Sequence, residues 1–260
     1  SRVDLPEPDA PTMATDCPDL ISRLIPFSIS SSPPAIGTRF RRFSVLIMRH
    51  FLYNTLRNRC LHGLLLIVLA AATQARENAI LVLGDSISAA YGMSLEEGWV
   101  AMLARRLQES HPSHRVVNAS ISGETTAGAL RRLPGLLEEH SPTLVIIELG
   151  GNDGLRGYPV NRFRDNLRQL AELSRAAGAE VIIMPMEIPP NYGSRYTASF
   201  RESYPLVAEE TGSALTPFVL EDVATNPAMM QEDGIHPTAA AQSELLATVL
   251  PSILTILEEG

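Results

Sequence analysis

A serine in a tight turn, and a histidine preceded at three residues by an aspartate, are the parts from which acyl-transfer sites are built, and this chain of 260 residues carries both. Gly84-Asp85-Ser86 follows directly on the apolar run Ala79-Ile80-Leu81-Val82-Leu83, and Asp233-Gly234-Ile235-His236-Pro237 lies near the other end. A serine hydroxyl is a weak nucleophile until an imidazole takes its proton, and that imidazole must be held in one tautomer by a third group. His236 can supply the imidazole and Asp233 the third group. An apolar run ending in Gly predicts a buried strand and a tight turn, which sets Ser86 at a strand's carboxyl end, where parallel sheets present ligands.

Taken alone, Gly-Asp-Ser is ordinary turn sequence, because Gly admits unusual dihedrals and Asp and Ser cap helices. Two further strand ends change the weighing. Asn118-Ala119-Ser120-Ile121-Ser122-Gly123-Glu124-Thr125 follows a predicted strand at 115–118, and Gly150-Gly151-Asn152-Asp153 follows one at 144–149. Ser, Gly and Asn at successive strand ends, with Asp-x-x-His beyond them, supply a nucleophile, two oxyanion donors and a base with its orienting acid in one crevice.

These strings resemble those of the GDSL or SGNH hydrolases, and within that family the bacterial thioesterase and lysophospholipase type. The resemblance runs from about Ala79 to about Gln242 and includes Val117 to Gly123, Glu148 to Gly157, Asn191-Tyr192-Gly193 and Asp233 to Pro237. It implies Ser86 as nucleophile, the N–H groups of Ser86 and Gly123 and the Asn152 amide as oxyanion donors, and Asp233 with His236 completing a triad. It implies hydrolysis of acyl esters, thioesters or lysophospholipids through an acyl-enzyme, without cofactor or metal. A carbohydrate O-acetylesterase of the same family is the neighbouring alternative. The acyl chain is expected along the loops 154–159 and 188–192, with Leu155, Arg156, Ile188 and Tyr192 as substrate-binding candidates. Glu187 departs from the family's tendency toward a basic residue there, a difference that bears on headgroup preference.

The elements that must position these residues alternate along the chain. Strands are predicted at 79–83, 115–118, 144–149, 180–185 and 214–218, and helices at 99–109, 125–140, 160–177, 194–211 and from about 238, with Pro134 and Pro205 interior. Strands separated by helices imply a parallel sheet covered on both faces through right-handed crossovers. The expected fold is therefore an α/β three-layer sandwich around a five-stranded parallel sheet, flavodoxin-like in architecture. An α/β-hydrolase is disfavoured, because its nucleophile elbow is Gly-x-Ser-x-Gly and the fifth position here is Ser88. A non-catalytic flavodoxin-like binder shares the architecture, but a phosphate binder needs backbone N–H groups and no base, so Asp-x-x-His argues against it.

From Arg76 onward the chain holds 13 arginines, no lysine and 24 Asp plus Glu, a formal charge of −11. Nucleic acid is excluded as a partner on that balance, and an anionic substrate would be held chiefly by its acyl chain. The region before it reads differently. Met48 to Arg59 is basic, Leu61 to Ala72 is an apolar run shorter than the ~20 residues that span a bilayer, and Thr73-Gln74-Ala75 ends in a small residue, the pattern of a cleaved secretory signal. Residues 1–47 are expected to be a spurious or disordered extension, 48–75 the signal and 76–260 the hydrolase domain. Both cysteines, Cys17 and Cys60, precede residue 76. A periplasmic monomer without disulfide or stable membrane anchor is the expectation. His111 and His114 flank Pro112 in a polar turn, which disfavours a metal pair, and His140 suits the carboxyl end of a helix. Asp153 is expected to order its loop, Trp99 to be core, and Arg156 and Arg195 to be exposed charges on the crevice side.

Overall fold

A computed structural model describes residues 78–259, all within the unit Gln74–Gly260. The expectations for residues 1–47 and for the signal segment 48–75 lie outside the described residues.

Strands β1 (Asn78–Gly84), β2 (His114–Asn118), β3 (Leu144–Glu148), β4 (Glu180–Ile183) and β5 (Ala214–Leu215) form one parallel sheet in the order β2-β1-β3-β4-β5. Ala79 to Leu83 and Leu144 to Ile147 are buried throughout, so the central strands read as unbroken apolar runs rather than alternations. That is how strands covered on both faces must read. Helices α1 (Trp99–Ser110), α2 (Thr126–His140), α3 (Gly151–Leu155), α4 (Val160–Ala176), α5 (Ser194–Thr211) and α6 (Gln242–Glu259) complete the fold. The chain steps from β1 outward to β2, then back past β1 to β3, β4 and β5. Right-handed crossovers therefore place α1 on one face and α2, α4 and α5 on the other; α2 packs on α4, α4 on α5, and α6 returns to α1. The expected three-layer sandwich is the observed one. The reversal of strand order falls between β1 and β3, and the crevice of such a sheet opens at the strands' carboxyl ends there.

Several boundaries move. β4 ends at Ile183, two residues before the expected end, because Pro185 has no N–H for the ladder, and β5 shortens to Ala214–Leu215 ahead of Pro217. Residues 151–155, expected as loop, form the one-turn α3. Pro134, Pro205 and Pro251 sit inside continuous helices, each on the exposed side, away from the core. Ala239–Glu259 is the one described helix long and apolar enough to cross a bilayer by length and composition. Leu245, Val249 and Ile253 on it are fully buried and the helix packs on α1 and β4, so its apolar character serves the core.

Candidate active site

Beyond Gly84 the chain coils into a helical turn, with the Ala89 N–H donating to the Asp85 carbonyl (3.0 Å) and the Tyr91 N–H to the Ser86 carbonyl (3.1 Å). Ser86 stands on this turn. At the far end of the chain Asp233 to His236 folds back on itself: Asp233 Oδ1 accepts the backbone N–H groups of Ile235 (2.9 Å) and His236 (3.0 Å), and Oδ2 accepts His236 Nδ1 (2.6 Å). The His236 N–H first, then its ring and the Ile235 N–H, lower the Asp233 carboxyl to about 2 although the side chain is 39% exposed. A carboxylate only accepts, so the ring proton lies on Nδ1 and Nε2 is left as an acceptor. The Ser86 hydroxyl donates to Nε2 across 2.8 Å. The Tyr91 ring lies against the imidazole, centroids 4.4 Å apart and tilted by 37°. Gln231 ties the two segments together, its Nε2 donating to the carbonyls of Tyr91 (2.8 Å) and Pro237 (3.0 Å) and its N–H to that of His236 (2.7 Å).

The loop after β2 is pinned to the same turn. The Ile121 N–H donates to the Gly84 carbonyl (3.1 Å), Asn118 Nδ2 to the Ser88 carbonyl (2.8 Å), and Arg132 pairs with Glu124 (2.8 Å) while reaching the Ala119 carbonyl (3.0 Å). Gly123 closes that loop at φ +78°, a conformation that favours glycine. From the end of β3, Asn152 Nδ2 donates to Asp85 Oδ2 (3.0 Å), which uses one of its two amide hydrogens. The N–H groups of Ser86 and Gly123 and the second Asn152 hydrogen have no protein acceptor among the described residues. Asp153 takes the Thr126 N–H (2.9 Å) and hydroxyl (2.6 Å), fixing α3 to the start of α2. The ordering role expected of Asp153 is thus met through another segment.

Behind the Ser86 turn lie two buried carboxyl groups. Asp85 accepts the Ile87 N–H (3.1 Å) as well as Asn152, and Glu148 Oε2 accepts the Asp85 N–H (3.2 Å) and the Ser88 hydroxyl (2.8 Å). Burial raises both, Glu148 well above the usual carboxylate range with the Asp85 charge adding to the effect, while hydrogen bonds hold Asp85 back.

The structure thus joins His236 to Ser86 and to Asp233, ties Asn152 to Asp85 of the same turn, and holds the loop that carries Gly123 to that turn through Ile121 and Asn118. The substrate candidates lie in two strapped loops: the Tyr192 hydroxyl donates to the Leu155 carbonyl (2.8 Å), and Tyr196 to that of Tyr158 (2.7 Å). Arg156 is exposed, its Nη2 donating to the Gly123 carbonyl (3.1 Å). Ile188 is buried in the core. A cleft of about 560 Å³ opens at the start of α5, lined by Val160, Tyr192, Arg195 and Tyr196 among others, and includes none of the five residues above. Glu187 pairs with Arg201 (2.8 Å). Among the described residues no cluster of His, Cys, Asp or Glu is arranged to hold a metal ion; His111 and His114 stack edge to face.

The GDSL-like lipase/acylhydrolase pattern matches residues 82–243, the span that holds all five candidate residues. The chain belongs to that family. Esterase TesA of Pseudomonas aeruginosa is 50% identical over 197 residues, 76% of this chain and 98% of its own. Thioesterase 1/protease 1/lysophospholipase L1 of Escherichia coli K12 is 45% identical over 178 residues, 68% of this chain and 84% of its own. Among solved structures, the psychrotrophic esterase EstA of Pseudoalteromonas sp., inhibited by monoethylphosphonate, is 46% identical with a TM-score of 0.67 over 70% of this chain and 99% of that one. This acylhydrolase is therefore an ester hydrolase with the SGNH architecture. Residues that the sequence reading passed over are Tyr91, Gln231, Asp85 and Glu148. Only Glu148 carried a signal, as an acid closing the otherwise apolar strand Leu144 to Glu148.

Proposed function

We propose that the protein is a serine hydrolase of acyl esters and thioesters in which Ser86 is the nucleophile, His236 the base and Asp233 its orienting acid. The observation that carries the reading is the hydrogen-bond chain from the Ser86 hydroxyl through His236 to Asp233, beside three N–H groups without protein acceptors. His236 Nε2 takes the hydroxyl proton as Ser86 Oγ attacks the carbonyl carbon, and ionised Asp233 stabilises the imidazolium. The N–H groups of Ser86 and Gly123 and the Asn152 amide receive the oxyanion. The imidazolium then protonates the leaving alcohol or thiol, and water resolves the acyl-enzyme by the reverse proton path. The names of the relatives, an esterase and a thioesterase/lysophospholipase, support small acyl esters, thioesters and lysophospholipids as the substrate class. On this reading the acyl chain runs along the strapped loops 154–159 and 188–192, beside Leu155, Arg156 and Tyr192, with Ile188 buried beneath them.

An alkyl phosphonate should label Ser86, and Ser86→Ala should abolish labelling and turnover of p-nitrophenyl esters, acyl-CoA and lysophospholipid alike. His236→Ala should come close to the same loss, since the two residues act as a unit. Labelling of a different serine would end the assignment. The basic stretch from Met48 and the apolar run to Ala72 support export as a soluble monomer cleaved after Ala75. Expressed from Met48 in a bacterial host, the active enzyme should then appear in the periplasmic fraction with the amino terminus Arg-Glu-Asn-Ala-Ile, and uncleaved protein in the membrane fraction would contradict it.

A further inference from the structure

Glu148 ends β3 directly beside Gly84 in the register of the sheet, and it is fully buried. Its two oxygens are treated differently. Oε2 is supplied twice, by the Asp85 N–H and by the Ser88 hydroxyl, and Ser88 Oγ in turn accepts Trp99 Nε1 at 3.2 Å. Oε1 is buried and receives no donor. No cation pairs with Glu148 among the described residues, and the titratable group beside it is the Asp85 carboxyl, whose charge raises Glu148 while Glu148 in turn helps to hold Asp85 down. An ionised carboxylate with one bare oxygen in such a place would carry the full cost of an unsatisfied buried charge. Two carboxyl groups sharing a dry site cannot both ionise, and the one without donors on an oxygen is the one that keeps the proton.

Asp85 is the opposite case. Its Oδ1 accepts the Ile87 N–H and its Oδ2 the Asn152 amide, so it is the better supplied anion and the natural acceptor for a proton on Glu148. Burial and the neighbouring Asp85 charge, which push the Glu148 carboxyl well above its ordinary range, agree with this division.

We propose that Glu148 is a positioning residue for the oxyanion donor: as a neutral acid it donates from Oε1 to the Asp85 carboxylate, and Asp85 so held fixes one Asn152 amide hydrogen and aims the other at the developing oxyanion. The inference rests on the reading of Asn152 as an oxyanion donor. A donor of this kind works because its orientation is set before the reaction begins, and a side-chain amide rotates unless something holds its other hydrogen. The chain Glu148, Asp85, Asn152 supplies that restraint from within the sheet, and the Asp85 N–H to Oε2 bond fixes the nucleophile turn from the same carboxyl.

A double-mutant cycle tests it. Asn152→Ala alone should lower kcat by about 100- to 1,000-fold with KM little changed. Glu148→Met, which keeps the volume but neither donates nor accepts through oxygen, should lower kcat by about 10- to 100-fold at similar KM, and Glu148→Gln, which restores a neutral donor and acceptor, should stay within about threefold of wild type. On the Asn152→Ala background Glu148→Met should cost several-fold less than on the wild-type background, because the group it acts through is gone and only the Oε2 bonds to the Ser86 turn remain to be lost. An unchanged kcat in Asn152→Ala would overturn the oxyanion reading and this proposal with it. A full loss in Asn152→Ala with an undiminished effect of Glu148→Met on that background would overturn the Glu148 proposal alone. Should Glu148→Met not fold, Glu148→Gln still decides: a folded Gln variant as slow as Asn152→Ala rules out a neutral donor at this position.

Discussion

Three carboxyl groups at this site are held in two protonation regimes by their surroundings. Asp233 is half exposed and takes three N–H donors, which keep it ionised down to about pH 2. Its stabilising contribution is therefore present above its ordinary value of 3.8 and is lost as pH falls toward 2. Glu148 is raised, and the sign reverses. Above its ordinary 4.5 the unfolded chain releases this proton while the folded protein keeps it, so folding takes up a proton and stability falls as pH rises. Asp85, also raised, contributes in the same direction. Glu148→Gln removes the larger of these effects. Thermal melts at about pH 5 and about pH 8 should show wild type losing more stability than Glu148→Gln across that interval. Equal losses in the two proteins would mean that Glu148 is ionised when folded.

At the scale of elements, the sequence pattern and the packing agree wherever an element is covered on both sides. β1 and β3 were legible because unbroken apolar runs bounded by Gly have few other uses. β4 and β5 were overextended because their ends depend on Pro185 and Pro217 meeting a ladder, and α3 was missed because one turn is too short to show a period. The Gly84 position shows how elements constrain one another. A Cβ there would stand 2.7 Å from Glu148 Oε2 and 2.7 Å from the Ser88 Cβ. The glycine of Gly-Asp-Ser is thus required by the carboxyl arriving from β3, not by its own dihedrals. Gly84→Ala should cost about 1–3 kcal/mol of stability by overpacking and lower kcat as the Ser86 turn shifts, measured by urea denaturation beside ester turnover. A variant with wild-type stability and kcat would show that the turn yields freely. Gly150, at φ +119°, meets the same kind of limit, since a side chain there would strike the Tyr204 hydroxyl and Phe163.

In the whole molecule, residues 150 positions apart in the chain, Ser86 and His236, meet because the strand order of the parallel sheet reverses between β1 and β3 and the last loop returns over that point. α6 closes the fold behind it. Leu245 is fully buried on the face that α6 presents to the core, so Leu245→Ala should destabilise the protein by about 2–5 kcal/mol. Because Leu245 lies on a helix after the His236 loop and touches none of the site residues' hydrogen bonds, the folded fraction should retain a near-normal KM. Calorimetry with active-site titration checks both parts, and a loss below about 1 kcal/mol would show that α6 is not a core element.

The sequence alone determined the strand-and-helix alternation, the parallel sheet and the hydrolase resemblance, and it nominated Ser86, Gly123, Asn152, Asp233 and His236 as the candidate site. Those were legible because each depends on local chemistry: apolar runs for buried strands, Gly where φ is positive, Asp three residues before His so that one carboxylate can reach both the ring and the turn's own N–H groups. Tertiary structure alone decided which groups lie behind the site. Asp85, Glu148, Tyr91 and Gln231 act through contacts 60 to 145 residues apart in sequence, and such contacts leave no local pattern. Whether an acid at the end of an apolar strand is solvated, ion-paired or kept neutral depends on what the neighbouring strand and turn place beside it. That is a property of the packed sheet, not of the residues read in order.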